Sequence, residues 1–159
     1  KIVPSQNKPK LLIRESLMAM IANSIDTKMF RNAFFVIDEQ KKDILQNGYI
    51  SCAVYTSSIL FLFKLLQDIH ATVDGTIRDL EQSGWQKISE PKAGDVLIWE
   101  PLILNSGSAH KHIGFFIEQD QAISNSSELG YPIKHHITFG IENGQPIRKI
   151  IAIYHSDFR

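Results

Sequence analysis

Apolar residues set the first element. Leu11, Leu12, Ile13, Leu17, Met18, Met20 and Ile21 fall on one side of a 3.6-residue period, predicting an amphipathic helix from about Leu11 to Ala22 that ends near Asn23-Ser24. The preceding residues 1–9 carry two prolines and several polar groups and read as an extended arm. The run Ala33-Phe34-Phe35-Val36-Ile37, the polar turn Asp38–Lys42 and Asp43-Ile44-Leu45 predict a β-hairpin. A short loop, Gln46–Ser51, then gives way to the apolar stretch Ala53–Phe63, a helix that opens at Cys52 and is expected to reach about Asp68. Thr72 is placed to cap a further helix through Ile77, Leu80 and Glu81 that stops at Gly84.

From Trp85 the period changes to that of strands. Trp85–Ile88 leads to the turn Pro91-Lys92-Ala93-Gly94 and a strand over Asp95–Glu100. His112–Ile117, Ala122–Asn125, Ile133–Phe139 and Ile147–Tyr154 are four more, parted by polar turns such as Glu118–Gln121 and Glu142–Pro146. Helices first and an antiparallel meander of about five strands afterwards is an α+β arrangement in one domain. In it the helix opening at Cys52 packs on the sheet that carries His112.

Composition narrows the classes without choosing among them. An apolar content of 43% and a charged content of 21% are ordinary for a globular chain of 159 residues, enough to bury a core without staples. Seventeen basic residues balance seventeen acidic ones, and no basic patch is interleaved with aromatics, so no nucleic-acid partner is implied. The longest apolar run is broken by Lys64 and is far short of a membrane span. The chain begins at Lys1 rather than methionine, which reads as a processed or excised piece; neither compartment nor oligomeric state follows.

The candidate chemistry centres on Cys52, the one cysteine. At a helix start the first N–H groups lack intrahelical partners and the macrodipole is positive, so a thiolate is favoured and a lowered thiol pKa is expected. Sixty residues on, His112 opens an apolar strand, and a thiol with a general base is the minimum for cysteine nucleophilic catalysis.

Cys52 at a helix start, then Ala93-Gly94-Asp95-Val96-Leu97-Ile98-Trp99, then His112-Ile113-Gly114-Phe115-Phe116-Ile117, in that order over residues 48–126, resembles the NlpC/P60 and CHAP branch of papain-like cysteine peptidases. The resemblance implies a papain-like fold, Cys52 as nucleophile, His112 as general base and later acid, no cofactor, and an amide substrate such as a peptidoglycan peptide. The family's third residue falls by count on Ser124. Asn125 beside it is chemically better suited to hold an imidazole, and reaches the same face if a one-residue bulge intervenes, so Asn125 is the expected partner with Ser124 in reserve. Family members carry Asp before the cysteine and Ser-Gly after it, where this chain has Ser51 and Ala53, a difference that bears on substrate identity.

Other residues are candidates with plainer alternatives. Of His135 and His136, at most one can face the site, and packing competes with substrate binding. Tyr49 in the loop before Cys52, and Trp99 at a strand end, are candidate substrate contacts, with core packing the competing role for Trp99. Asp43 is placed to pin the loop before Cys52, and Tyr55 reads as core. Two rivals stand beside catalysis. One is a zinc site of His110, His112, Cys52 and His135 or His136, though HExxH and CxxC motifs are lacking. The other is an inert peptide-binding module on the same fold, against which the intact Cys52, His112 and polar third residue argue.

Overall fold

A computed structural model describes residues 8–103 and 107–158, so the arm expected over residues 1–9 lies almost wholly outside the described residues. Helix α1 spans Ile13–Asn23, followed by a hairpin of β1 (Phe34–Ile37) and β2 (Gln40–Asp43). Helices α2 (Cys52–Leu62) and α3 (Val73–Gln82) come next. The strands β3 (Gln86–Lys87), β4 (Val96–Ile103), β5 (Ala109–Glu118), β6 (Gln121–Asn125), β7 (Pro132–His136), β8 (Ile141–Glu142), β9 (Gln145–Pro146) and β10 (Ile150–His155) complete the chain. The architecture is α+β, as the change of period predicts.

The main sheet has six strands rather than about five, in the order β3-β10-β4-β5-β6-β7, with every neighbouring pair antiparallel. It is not a simple meander, because the last strand inserts between β3 and β4. The reason lies in β10 itself: Ile153 is buried in one core and Tyr154 in the other, which suits an interior strand. Alternation divides the sheet into two faces. Val96, Ile98, Ile113, Phe115 and Ile123 pack under the helices with Leu17, Ile21, Tyr55, Ile59, Leu60 and Leu80. Leu97, Trp99, Phe116, Ala122 and Ile153 form a smaller core on the opposite face, covered by Ile137 and Phe139.

Local chemistry explains where elements stop. The hairpin turns on two residues, Asp38 and Glu39, both at positive φ (52° and 61°), rather than on the five expected, because the mirror-image turn matches strand twist. Helix α2 ends at Leu62 instead of near Asp68. Lys64 is left-handed (φ 56°), the Leu65 N–H returns to the Leu60 carbonyl at 3.0 Å, and the buried Asp79 carboxylate takes the N–H groups of Gln67 and Asp68. Thr72 caps α3 as expected, its Oγ1 accepting from the Gly75 N–H at 3.1 Å. The Gly94-Asp95 pair is a brace, not part of the site: the fully buried Asp95 carboxylate accepts from the Lys92 N–H at 2.7 Å and from His155 Nδ1 at 2.6 Å.

Candidate active site

The loop that delivers Cys52 is held at three points. Asp43 accepts from the N–H groups of Ala33, Leu45 and Asn47 and from the Asn32 amide, and these bonds hold its carboxyl down at a pKa of about 2. It pins the loop, the role the sequence allows it. Gly48 (φ 89°) and Gly130 (φ 72°) cross back to back: a Cβ on Gly48 would sit 2.3 Å from the Gly130 carbonyl oxygen. Asn125 Nδ2 then donates to the Gly48 carbonyl at 2.7 Å. One turn into α2, Tyr55 meets Phe115 edge-on at 5.8 Å and its hydroxyl pairs with Ser24, registering the helix on β5. Tyr55 is core, as read.

The expected Asn125–His112 contact is not made. β6 pairs with β5 as far as Ser124 and with β7 through both Ser124 and Asn125, with no bulge at that point, so Asn125 faces the helices and Ser124 faces His112. Ser124 Oγ lies 2.8 Å from His112 Nε2 and 2.7 Å from His135 Nε2, and His135 Nδ1 lies 2.8 Å from the His136 carbonyl. A carbonyl only accepts, so His135 carries its proton on Nδ1 and its Nε2 accepts from the Ser124 hydroxyl. Ser124 in turn accepts from His112 Nε2–H. The chain of bonds therefore leaves Nδ1 of His112 unprotonated, the tautomer a general base needs. Gly114 makes the approach possible: it pairs with Ser124 across the strands, and a Cβ there would stand 2.5 Å from Ser124 Cβ and 2.6 Å from the Ile123 carbonyl oxygen. Gly114→Ala is expected to destabilise the fold by about 2 kcal/mol through overpacking and to push Ser124 off His112, read as a lower Tm together with a slower Cys52 reaction.

Trp99 and His135, expected as candidate substrate contacts, lie behind the cleft rather than in its lining. Trp99 is fully buried, its Nε1 donating to the Ile137 carbonyl at 2.7 Å, and its ring lies 5.5 Å from His112, 5.7 Å from His135 and 5.4 Å from Phe139, with which it forms an aromatic floor under the two imidazoles. His135 stacks on Phe139 at 4.1 Å behind Ser124. Neither lines the cleft of about 490 Å³ onto which Cys52 and His112 open, whereas Tyr49 does. A second cleft of about 570 Å³ beside Trp85 includes neither Cys52 nor a histidine. Cys52 is half-buried, with the N–H groups of Ile113, Ala53 and Cys52 itself directed at its sulfur; no hydrogen bond joins that sulfur to the imidazole. Such contacts commonly close only when substrate binds. Among the described residues no three His, Cys, Asp or Glu side chains gather as metal ligands.

Burial decides the resting protonation. It pushes the Cys52 thiol up, against the N–H groups and a nearby arginine, which reverses the lowered value expected from the helix start alone. It pushes His112 well below the usual imidazole range, with Arg148 and His135 adding repulsion. The resting pair is thus neutral thiol and neutral imidazole. Arg148, which sequence reasoning passed over, lines the same cleft. It sits between the β8–β9 hairpin and β10, where pattern alone gives no hint that strand insertion carries it to Cys52.

No protein-family model matches the chain, and a search of curated proteins finds no significant match.

Proposed function

We propose that this chain is a cysteine-dependent amide hydrolase of the papain-like type, with Cys52 as nucleophile and His112 as general base, acting on peptide amides such as those of peptidoglycan. The observation that carries the reading is the shared cleft: Cys52 at the start of α2 opens on the same pocket as His112, whose tautomer is fixed through Ser124. In the reaction Cys52 gives its proton to His112 Nδ1 and attacks the amide carbonyl. His112 then passes that proton to the leaving amine, and water, deprotonated by His112, releases the acyl group from the thioester. The N–H groups at the start of α2 are the fixed donors available to the oxyanion, a class of interaction worth about 2.7–4 kcal/mol.

The test is alkylation of Cys52 by iodoacetamide between pH 4 and 9, on wild type and His112→Ala; the single cysteine keeps the readout clean. A neutral pair gives a plateau. Its acid limb falls below pH 6.5, where the depressed His112 finally protonates and can no longer take the thiol proton, and its alkaline limb rises only as the thiol itself ionises. Near pH 6 the wild type is expected to react about 100-fold faster than His112→Ala, the low end of general-base assistance. A rate that follows thiol ionisation alone and ignores His112 overturns the reading in favour of an inert peptide-binding module.

A further inference from the structure

Arg148 is buried beside the Cys52 thiol, and among the described residues its charge has no carboxylate counter-ion. Only 9% of the residue is exposed. Its N–H donates to the Thr138 carbonyl at 3.0 Å, and its guanidinium donates from Nε to the Glu100 carbonyl at 2.9 Å and from Nη2 to the His110 carbonyl at 2.8 Å. Those carbonyls belong to the adjacent strands β4 and β5, so the head group is clamped rather than snorkelling. Carbonyl oxygens satisfy its N–H groups but leave its full positive charge uncancelled.

The acidic groups nearby are otherwise engaged. The Cys52 sulfur attracts Arg148 only once it ionises, and the Glu100 carboxylate, which attracts it at a distance, accepts from the Lys149 N–H at 2.8 Å. Asp74, on the cleft wall, is paired with Lys111 Nζ at 2.7 Å. Among the described residues no carboxylate lies within ion-pair distance of the guanidinium, and its Nη1 has no partner. The face of Phe139 stands 5.9 Å away. Keeping a desolvated, unpaired cation is costly, and the cost is recovered when an anion enters the cleft and completes it.

We propose that Arg148 forms a carboxylate subsite next to Cys52, selecting acyl donors or leaving groups that bear a free carboxylate close to the scissile amide. This rests on the reading of Cys52 as nucleophile and adds to it a substrate class. Arginine suits the task because its planar fork can receive a carboxylate through two N–H groups.

A matched pair of alkylating agents tests the subsite without knowledge of the natural substrate. Iodoacetate and iodoacetamide differ in one group, carboxylate against amide. In the wild type the ratio of their rate constants is expected to exceed the ratio for glutathione by about tenfold, the factor that about 1.4 kcal/mol of added attraction gives. Arg148→Gln should return it to the glutathione value, and Arg148→Lys should keep part of it. The wild-type ratio stands alone if either variant fails to fold. Slowing of iodoacetamide alkylation by acetylglycine would place a terminal carboxylate in the subsite, and slowing by acetylglutamate α-amide would place an acidic side chain there. Equal slowing by neutral acetylglycinamide, or a wild-type ratio matching glutathione, overturns the subsite. A His112-dependent iodoacetamide plateau with a flat ratio removes the subsite alone, whereas loss of the plateau removes the nucleophile reading and the subsite with it.

Discussion

Cys52→Ala is expected to abolish amide hydrolysis, a loss on the order of 10⁶ in kcat if Cys52 is the nucleophile, as for removal of the nucleophile from related triads. The fold should survive. Cys52 is half-buried at the first position of α2, Ala is a better helix former, and the lost sulfur contact costs about 1 kcal/mol or less. The measurement is cleavage of peptidoglycan stem peptides followed by mass spectrometry, with wild type and variant compared at equal melting behaviour. Wild type stalled in turnover should also gain the mass of an acyl group on Cys52, and the variant should not. Turnover that persists in Cys52→Ala would transfer the chemistry elsewhere. Absence of turnover in both proteins, with peptide binding retained by the variant, would mark a binding module.

The parts of the site visible in the sequence are those set by local rules. A cysteine opening an apolar helix, Thr72 as a cap and Asp43 as an anchor each follow from a few neighbouring residues, and each is found where expected. What pattern misses is set by register and topology. Asn125 was the better hydrogen-bond partner on chemistry, yet strict alternation turns it toward α2, where it ties down the Gly48 loop, and presents Ser124 to His112. Gly114 held a clue, since a glycine opposite Ser124 leaves room for an approach that any side chain would block. Arg148 left no such clue. It reaches the cleft because β10 inserts between β3 and β4, a non-local pairing invisible to periodicity. The thiol departs from the helix-start expectation for a related reason: the helix start is a local feature, but burial depends on what the sheet places over it, and it outweighs the N–H groups and the Arg148 charge that favour the thiolate.

Ser124→Ala is the variant in which that register should show most in the chemistry, with kcat/KM expected to fall about 10³-fold, within the range for losing correct general-base function. The alanine fits the space opposite Gly114 but leaves His112 Nε2 without an acceptor, so the imidazole loses its fixed tautomer and the imidazolium loses the bond that stabilises it. The sign follows: His112 becomes harder to protonate, and the acid limb of the pH profile moves further down. His135→Phe removes the second imidazole while keeping an aromatic ring against Phe139, which it now stacks on at 4.1 Å. Ser124 can still accept from His112 in that variant, so its loss should be smaller, about tenfold. Because His135 acts through Ser124, the double variant should be no worse than Ser124→Ala alone. Losses that multiply would show that His135 works independently, and an unchanged pH profile in Ser124→Ala would show that the serine merely fills space.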